Sequence, residues 1–200
     1  PKAGLHYDFN KHHAAYFSVA IANREPSRNN YRDADENHVP DAEKLIDYEF
    51  GYEFKSSKFS ANTNLYYMNY TDQLVLTGEI NNVGDPIMAN VPESYRAGIE
   101  LAAGWQINKL LRWDVNFTYS QNKIKDFTEY VDNWSYWIDP ENQPLQYEKY
   151  LGETDISFSP DMIAGSIISL ERITNMGISF ISKFVGRQYI DNTSSKERSL

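Results

Sequence analysis

The sequence predicts an all-β fold of the antiparallel transmembrane β-barrel class. Three observations predict it: apolar and polar residues alternate along several segments, these segments are long, and short and long connections follow one another in strict alternation. Successive side chains of a strand point to opposite faces, so alternation gives each segment one apolar and one polar face. Alternation in segments of about ten residues, separated by turns, is the signature of strands that cross a membrane.

Five segments carry the alternation most clearly. They are residues 46–54, 59–67, 95–107, 111–119 and 176–184. A helical interpretation fails because Asp47 and Glu49 would then lie among Ile46, Phe50 and Phe54. Weaker strands are predicted at residues 3–9, 15–22 and 156–170, which makes about eight strands in total. Most are roughly 10 to 14 residues long, whereas strands of soluble domains usually have about 5–6 and transmembrane strands about 9–11.

The connections between these segments supply the second signal. Short turns are predicted at residues 10–13, 56–58, 108–110 and 174–175, and long polar loops at residues 24–44, 77–93 and 127–153. Antiparallel membrane barrels have tight turns at one membrane face and long loops at the other. We therefore expect the short turns on the periplasmic side and the long loops outside the cell.

Aromatic residues are abundant in a chain that is polar on average. Tyr, Phe and Trp make up 29 of 200 residues, yet the mean hydropathy is −0.61. Amphipathic rings favour the headgroup level of a membrane, and two girdles are predicted. One contains Tyr66, Tyr67, Tyr70 and Tyr95 at the long-loop ends, and the other Trp105 and Trp113 near a short turn. The alternative is that these rings form the core of a soluble β protein.

Composition excludes several classes of protein and site. The net charge of −9 argues against a nucleic-acid binder, which normally shows a basic footprint. Cysteine is absent, which rules out disulfides, thiolate zinc sites and cysteine nucleophiles within these 200 residues. The longest uncharged, mostly apolar run, residues 162–170, is about half as long as a membrane-spanning helix requires.

Six short motifs follow one another along the chain. They are FSVA at 17–20, NREPSR at 23–28, EKL at 43–45, YEFGY at 48–52, LYYMNYTDQL at 65–74 and YRAGIEL at 95–101. This series resembles the late barrel strands of TonB-dependent outer-membrane receptors, and most closely those of the Bacteroidetes. The resemblance covers nearly the whole chain.

The resemblance implies a barrel of about 22 strands with a plug domain inside it, preceded by a segment that binds TonB. Residues 1–200 are then expected to be a fragment of about eight consecutive strands from the carboxy-terminal half of the barrel domain. The plug domain, the TonB-binding segment and the final strands are expected outside this chain. The expected partners are outer-membrane lipid, an external small-molecule ligand, TonB and the receptor's own plug domain, with no nucleic acid.

No combination of residues predicts a catalytic site, a metal site or a cofactor. His12 and His13 lie in a tight turn without a nearby carboxylate, and His6 and His38 are isolated. Glu49 and Glu53 share a strand face but are about 13 Å apart along it, at about 3.3 Å per residue. That separation is too long for a glycosidic carboxylate pair, so both are interpreted as solvated charges of the barrel interior.

Ligand-binding residues are predicted in the long loops. Arg24, Arg28 and Arg32 could hold a carboxylate or catecholate ligand through charge-assisted hydrogen bonds, or could instead pair with neighbouring acids or lipid phosphates. Exposed rings in the loop 127–153 could stack on a sugar or on an aromatic siderophore, or could pack against the next loop. The candidate rings are Tyr130, Trp134, Tyr136 and Trp137.

The function that these observations favour is energy-dependent import through the bacterial outer membrane. The resemblance implies a scarce solute, with a ferric siderophore or a similar iron complex as the first candidate and a glycan as another, and no enzymatic activity. Two other functions stay open. One is a complete small eight-stranded barrel with a structural or adhesive role, and the other is a soluble β-rich carbohydrate-binding module with Trp134 and Trp137 as a stacking platform.

Overall fold

One antiparallel sheet of nine strands makes up most of the chain, so the predicted fold class is confirmed. The computed structural model describes residues 1–34, 39–81, 83–173 and 176–200. The predicted turn at 174–175, His38 and part of the first long loop lie outside the described residues. The strands are β1 Lys2–Asn10, β2 His13–Arg24, β3 Glu43–Lys55, β4 Phe59–Ile80, β5 Pro86–Gln106, β6 Leu111–Asp132, β7 Gln146–Asp155, β8 Met162–Ile173 and β9 Met176–Val185.

The nine strands make eight passes across the sheet. Strands follow the order β1-β2-β3-β4-β5-β6-β8-β9, and β7 pairs with the far half of β6. Asp155 of β7 lies opposite Lys123, and Met162 of β8 lies opposite Tyr119, so β7 and β8 are one pass interrupted by residues 156–161. Among the described residues β1 and β9 do not pair with each other, and the sheet is open. This geometry argues against a closed eight-stranded barrel formed by these residues.

The register places apolar and polar residues on opposite faces, as the alternation predicts. Leu101 lies opposite Thr63 and Phe117, whereas Glu100 lies opposite Asn64 and Thr118. The apolar face continues across the sheet, and large side chains on it remain exposed. They include Phe17, Phe50, Leu65, Leu101, Ile168 and Phe180. An exposed apolar face of this extent is what a lipid-facing barrel wall requires.

Two aromatic pairs bound the apolar face of β5. Tyr95 stacks on Tyr67, with ring centroids 6.1 Å apart, and Trp105 lies opposite Trp113. Tyr95 and Trp105 are separated by about 33 Å along the strand. If the strand is tilted by about 40° from the barrel axis, this separation corresponds to a height of about 25 Å across the membrane, which is the usual height of the apolar band of a barrel.

The girdle prediction is wrong for two tyrosines. Tyr66 lies opposite Glu49 and Gly98, and Tyr70 lies opposite Ser94, so both lie on the polar face. The physical reason is the period of two along a strand: Tyr66 and Tyr67 are adjacent and cannot both face lipid. The ring of Tyr66 instead covers Gly98, where an added Cβ would come within 2.8 Å of the Tyr66 ring.

The prediction of long loops at residues 77–93 and 127–153 is wrong, because most of these residues belong to strands. Strands β4 and β6 have 22 residues and β5 has 21, and most of β7 lies inside the predicted loop 127–153. The loop prediction for 77–93 fails similarly, since β4 ends at Ile80 and β5 begins at Pro86. Both regions are polar hairpins that extend well beyond the apolar band.

The first long connection contains a short helix, α1, Arg28–Asp33, which begins with a reciprocal capping box between Ser27 and Asn30. This connection packs on the β4–β5 hairpin, where Asn81 donates to the Asp33 carbonyl at 3.1 Å and Asp41 donates to Asn90 at 2.8 Å. Among the described residues, no helix is long and apolar enough to cross a membrane.

Candidate functional site

The two long hairpins separate from the sheet and pack against each other. β5 pairs with β6 only as far as Ser94 and Ile124. Beyond that level, residues 73–91 of β4–β5 and residues 124–155 of β6–β7 form two arms. We call these arms, together with residues 156–161 and 186–200, the head. Its core contains Val75, Val91, Ile124, Phe127 and Ile156, with Leu151 packed against them.

Gly78 allows a close approach between the two arms. Its φ is +89°, and a Cβ at this position would lie 2.6 Å from the carbonyl oxygen of Tyr130. A backbone atom cannot yield in the way that a flexible side chain can, so this contact requires glycine. Gln146 fastens the same region by donating to the Gly78 carbonyl at 2.8 Å and accepting from the Ile80 amide at 3.1 Å.

The carboxy-terminal segment, residues 186–200, fills the side of the head. Asn192 is only 4% exposed, and its amide group joins two elements. Its Nδ2 donates to the Leu76 carbonyl at 2.9 Å and its Oδ1 accepts from the Ser157 amide at 2.8 Å. Phe158 donates to the Tyr189 carbonyl at 2.8 Å. The segment thus joins β4 to residues 156–161, which separate β7 from β8, through hydrogen bonds.

A cavity of about 440 Å³ lies where both arms meet the carboxy-terminal segment. Its lining is Leu76, Thr77, Gly78, Pro86, Phe127, Glu129, Tyr130, Val131, Asp132, Trp134, Asp191, Asn192, Thr193 and Arg198. A concave site with apolar walls and a few convergent polar groups is typical of small-molecule binding sites. The head cavity is therefore the candidate site for an external ligand.

Carboxylates outnumber cations in the lining of the head cavity. The lining contains three carboxylates, those of Glu129, Asp132 and Asp191, and one guanidinium, that of Arg198. Arg198 donates to Glu129 at 3.0 Å and to Asp191 at 2.9 Å, and Lys149 lies 3.8 Å from Glu129 at the margin. An anionic ligand would have to compete with carboxylates that already hold Arg198.

These contacts shift the ionisation of the groups in the head. Hydrogen bonds to Asp191 and Glu129 raise the pKa of Arg198 above its ordinary value. Burial opposes ionisation of Asp191, but hydrogen bonds from Thr193 and Arg198 outweigh it and lower the pKa of Asp191. Burial, followed by the charges of Glu79 and Glu148, raises the pKa of Tyr130. Tyr130 therefore stays a neutral hydroxyl in a negative environment.

Two of the seven predicted ligand-binding residues line the head cavity: Tyr130 and Trp134. Tyr136 and Trp137 lie in the same loop, with their rings edge to face at 5.4 Å, but they do not line the cavity. Of the other three predicted residues, Arg24 ends β2 and Arg28 and Arg32 belong to α1, and none of them lines the cavity.

The three predicted arginines have separate environments. Arg24 forms a two-point ion pair with Glu43, with distances of 2.7 and 2.9 Å, and Glu43 is itself buried. Arg32 pairs with Asp33 at 2.7 Å. Arg28 is exposed and forms no ion pair with any described residue. Pairing with neighbouring acids, the alternative interpretation, therefore describes Arg24 and Arg32.

Several residues of the head cavity were not found by sequence reasoning. Arg198, Glu129 and Asp191 are separated by up to 69 positions in the chain, so no local pattern joins them. The aromatic excess of residues 127–153 was the one useful signal, and it pointed to Tyr130 and Trp134.

A second concave region lies on the polar face near the short turns. Its volume is about 840 Å³, and its lining includes Glu53, Asn62, Asp114 and Lys183. Glu49 accepts a hydrogen bond from Ser18 at 3.0 Å on the same face. Charged and amide side chains of the polar face thus lie here beside small residues such as Ala102 and Gly165.

The described histidines bond to single neighbours. His12 Nδ1 lies 2.7 Å from the Lys55 carbonyl, His13 Nδ1 lies 2.5 Å from the Tyr52 hydroxyl, and His6 lies 3.2 Å from Asp8. Among the described residues, no group of three His, Asp or Glu side chains is arranged to hold a metal ion.

An Asn192→Ala substitution is expected to loosen the head without affecting the wall. It leaves the Leu76 carbonyl and the Ser157 amide without their partner, at a cost of about 1–3 kcal/mol. Chemical denaturation of the intact protein, with hydrogen exchange at residues 74–76 and 156–158 as the local readout, would measure this loss. Asn142→Ala, which removes an exposed asparagine, serves as the control and should change stability by less than about 0.5 kcal/mol. Equal effects of the two substitutions would contradict the bridging role of Asn192.

Comparison with known proteins decides the family. The family model described as TonB dependent receptor-like, beta-barrel, matches residues 1–194. The chain belongs to this family. TonB-dependent receptor barrels are outer-membrane proteins, which supports the predicted localisation and argues against the soluble-module alternative. Among curated protein sequences, none matches.

Solved structures share the fold at low sequence identity. The siderophore receptor PiuA from Acinetobacter baumannii has a TM-score of 0.72 at 14% identity, with 98% of this chain and 27% of that chain covered. The copper transporter OprC gives 0.69 at 15% identity, covering 95% and 26%. The ferric yersiniabactin uptake receptor FyuA from Yersinia pestis gives 0.64 at 17% identity, covering 99% and 27%. The chain thus spans about a quarter of the length of these proteins, which are named as a siderophore receptor, a copper transporter and an uptake receptor.

Proposed function

We propose that this chain is part of an outer-membrane receptor that binds a scarce external solute and imports it with energy coupled through TonB. The family match over residues 1–194 carries the proposal. The sheet supports it further, because an apolar face bounded by aromatic pairs lies opposite a polar face that can line a solute path.

In this proposal each part of the chain has a distinct role. The apolar face contacts outer-membrane lipid, and the concave region near Glu53 and Asp114 receives the receptor's own plug domain. TonB acts through a segment outside this chain. The Bacteroidetes type of receptor is part of the proposal, supported by the order of motifs in residues 17–101.

The head cavity is the proposed contact with the external ligand, and Tyr130 and Trp134 are the proposed stacking residues. A ferric siderophore or similar iron complex is the first candidate, supported by the siderophore receptors among the similar structures. The exposed guanidinium of Arg28 is the one predicted arginine available to a carboxylate or catecholate. Arg24 is unsuitable for a test, because removing it would leave the buried carboxylate of Glu43 unpaired.

The experiment is uptake of radiolabelled iron complexes by a deletion strain that carries the intact gene or its variants. TonB-dependent uptake by the wild type is expected, and Tyr130→Ala or Trp134→Ala should weaken ligand binding about tenfold, equivalent to about 1.4 kcal/mol. Trp105→Phe, a conservative change in the wall, is the control. Uptake that is unaffected by loss of TonB would contradict the proposed function, and unchanged binding by both variants would remove the head cavity from it.

A further inference from the structure

The loop at the end of the β6–β7 arm, residues 133–145, holds large apolar side chains out in solvent. We call it the tip loop. Trp134 is 79% exposed, Trp137 is 72% exposed and Ile138 is 87% exposed. Contiguous exposed apolar groups of this size, rimmed by polar residues, mark interaction sites on otherwise soluble surfaces.

The tip loop is held in one conformation by its own hydrogen bonds. Asn133 is buried and takes part in several of them: its backbone amide donates to the Leu145 carbonyl at 3.0 Å, its Nδ2 donates to the Pro144 carbonyl at 2.8 Å, and its Oδ1 accepts from the Ser135 amide at 3.0 Å. Trp134 and Trp137 form the ends of a 3₁₀ turn, in which side chains three positions apart emerge on the same side. The exposed rings are therefore presented in a fixed arrangement.

The rim of the tip loop is acidic and is not neutralised. Asp132, Asp139, Glu141 and Glu148 are exposed, and none of the four forms an ion pair with a described residue. Asp132 accepts from Gln146 at 2.9 Å and Asp139 accepts from Asn142 at 3.0 Å, and both of these donors are neutral amides. Lys149, the basic residue nearest to the tip loop in sequence, pairs with Glu129 and not with the acids of the rim.

The shape of the tip loop indicates the size of its partner. Trp137 and Ile138 protrude and do not line the head cavity, whereas a small-molecule site encloses most of its ligand. A broad surface, such as that of a protein, covers a protrusion of this kind more fully than a small molecule can. Tryptophan is enriched among the residues that contribute most to protein–protein binding, and these residues lie near the centre of an interface inside a polar rim.

We propose that the tip loop docks a protein partner that presents a basic, partly apolar surface. Trp137 and Ile138 insert into the apolar part of that surface, and lysine or arginine side chains of the partner pair with Asp139, Glu141 and Glu148 and contact the indole faces. The interaction goes beyond solute import, because it engages a macromolecule and its inserted residues, Trp137 and Ile138, do not line the head cavity.

The test measures binding of fluorescent twelve-residue peptides to the intact receptor in nanodiscs of zwitterionic lipid. The probes are an alternating Lys-Leu peptide, an alternating Glu-Leu peptide and the neutral oligosaccharide maltoheptaose. We expect the Lys-Leu peptide to bind at least about tenfold more tightly than the Glu-Leu peptide. We also expect its affinity to fall severalfold between about 50 and 300 mM salt, because the charges involved are exposed.

Variants separate the tip loop from the rest of the receptor. The double substitution Trp137→Ala with Ile138→Ala, and separately Asp139→Asn with Glu141→Gln, should each weaken Lys-Leu binding about tenfold. Val83→Ala and Glu25→Gln, matched changes at exposed positions elsewhere, should not. Equal binding of both peptides, or no loss in the tip-loop variants, would overturn the proposal. Binding of maltoheptaose that depends on Trp137, without peptide binding, would replace it with a glycan platform.

Discussion

Leu101→Arg is expected to lower the free energy of unfolding of the receptor in a bilayer by about 2–4 kcal/mol, the cost of a charge on the lipid face of a barrel near the midplane. Leu101 lies on the apolar face, opposite Thr63 and Phe117. On β5 it falls between the two aromatic pairs that contain Tyr95 and Trp105. An arginine at that height is too far from either boundary to reach headgroup water without cost.

Glu100→Arg is the matched control, one residue away on the opposite face. Glu100 lies opposite Asn64 and Thr118 on the polar side, so an arginine there remains in an aqueous interior. Urea titration of the intact receptor in lipid vesicles, together with the gel-mobility shift of folded barrels, measures both variants. Similar losses for the two substitutions would mean that the assignment of faces is wrong.

The wall of the sheet was predictable because two different solvents act on its two faces. Lipid selects apolar residues at every second position and water selects polar residues between them. The polarity of Glu100 and of Leu101 therefore predicts the face of the sheet on which each side chain lies. The same rule corrects the girdle prediction. Neighbours such as Tyr66 and Tyr67 must diverge, and an aromatic run alone does not say which ring faces lipid.

The head was not predictable, because its strands do not alternate regularly. Ile124 and Phe127 are three positions apart and would face opposite sides of an ideal strand, yet both are buried in one core. The pairing of β6 with β7 shifts register between these residues, and such a bulge turns the strand so that both side chains face the same way. Asp72, with a φ of +55°, departs from regular strand geometry where β4 enters the head, although the pairing with β5 keeps its register there.

The head cavity was predictable only in part, for a related reason. Tyr130 and Trp134 stand out as aromatic residues in an acidic stretch, which is a local signal. The Arg198–Glu129 pair and the Asn192–Leu76 bond join positions 69 and 116 residues apart. Single polar residues at such separations have no pattern in the sequence, and only the packing of two arms and a third segment brings them together.

Phe127→Ala is expected to have the largest effect of any single substitution in the head, about 3–5 kcal/mol. The Phe127 ring is 1% exposed and packs in the core that joins the two arms. Its removal leaves a cavity among Val75, Val91 and Ile156, which belong to different segments. Because Phe127 also lines the head cavity, loss of the ring should weaken ligand binding as well.

Hydrogen exchange of the intact receptor distinguishes a local loss from a global one. In Phe127→Ala, amides of residues 74–76 and 147–151 should exchange faster, whereas amides of the wall at residues 97–101 should not, because the wall is held by its own ladder of hydrogen bonds. Trp137→Ala removes a larger ring from the same hairpin and is the control. Since that ring is 72% exposed, its loss should leave exchange unchanged. Faster exchange throughout the wall would mean that the head and the wall unfold together, so that ligand contacts in the head would be coupled directly to the stability of the barrel.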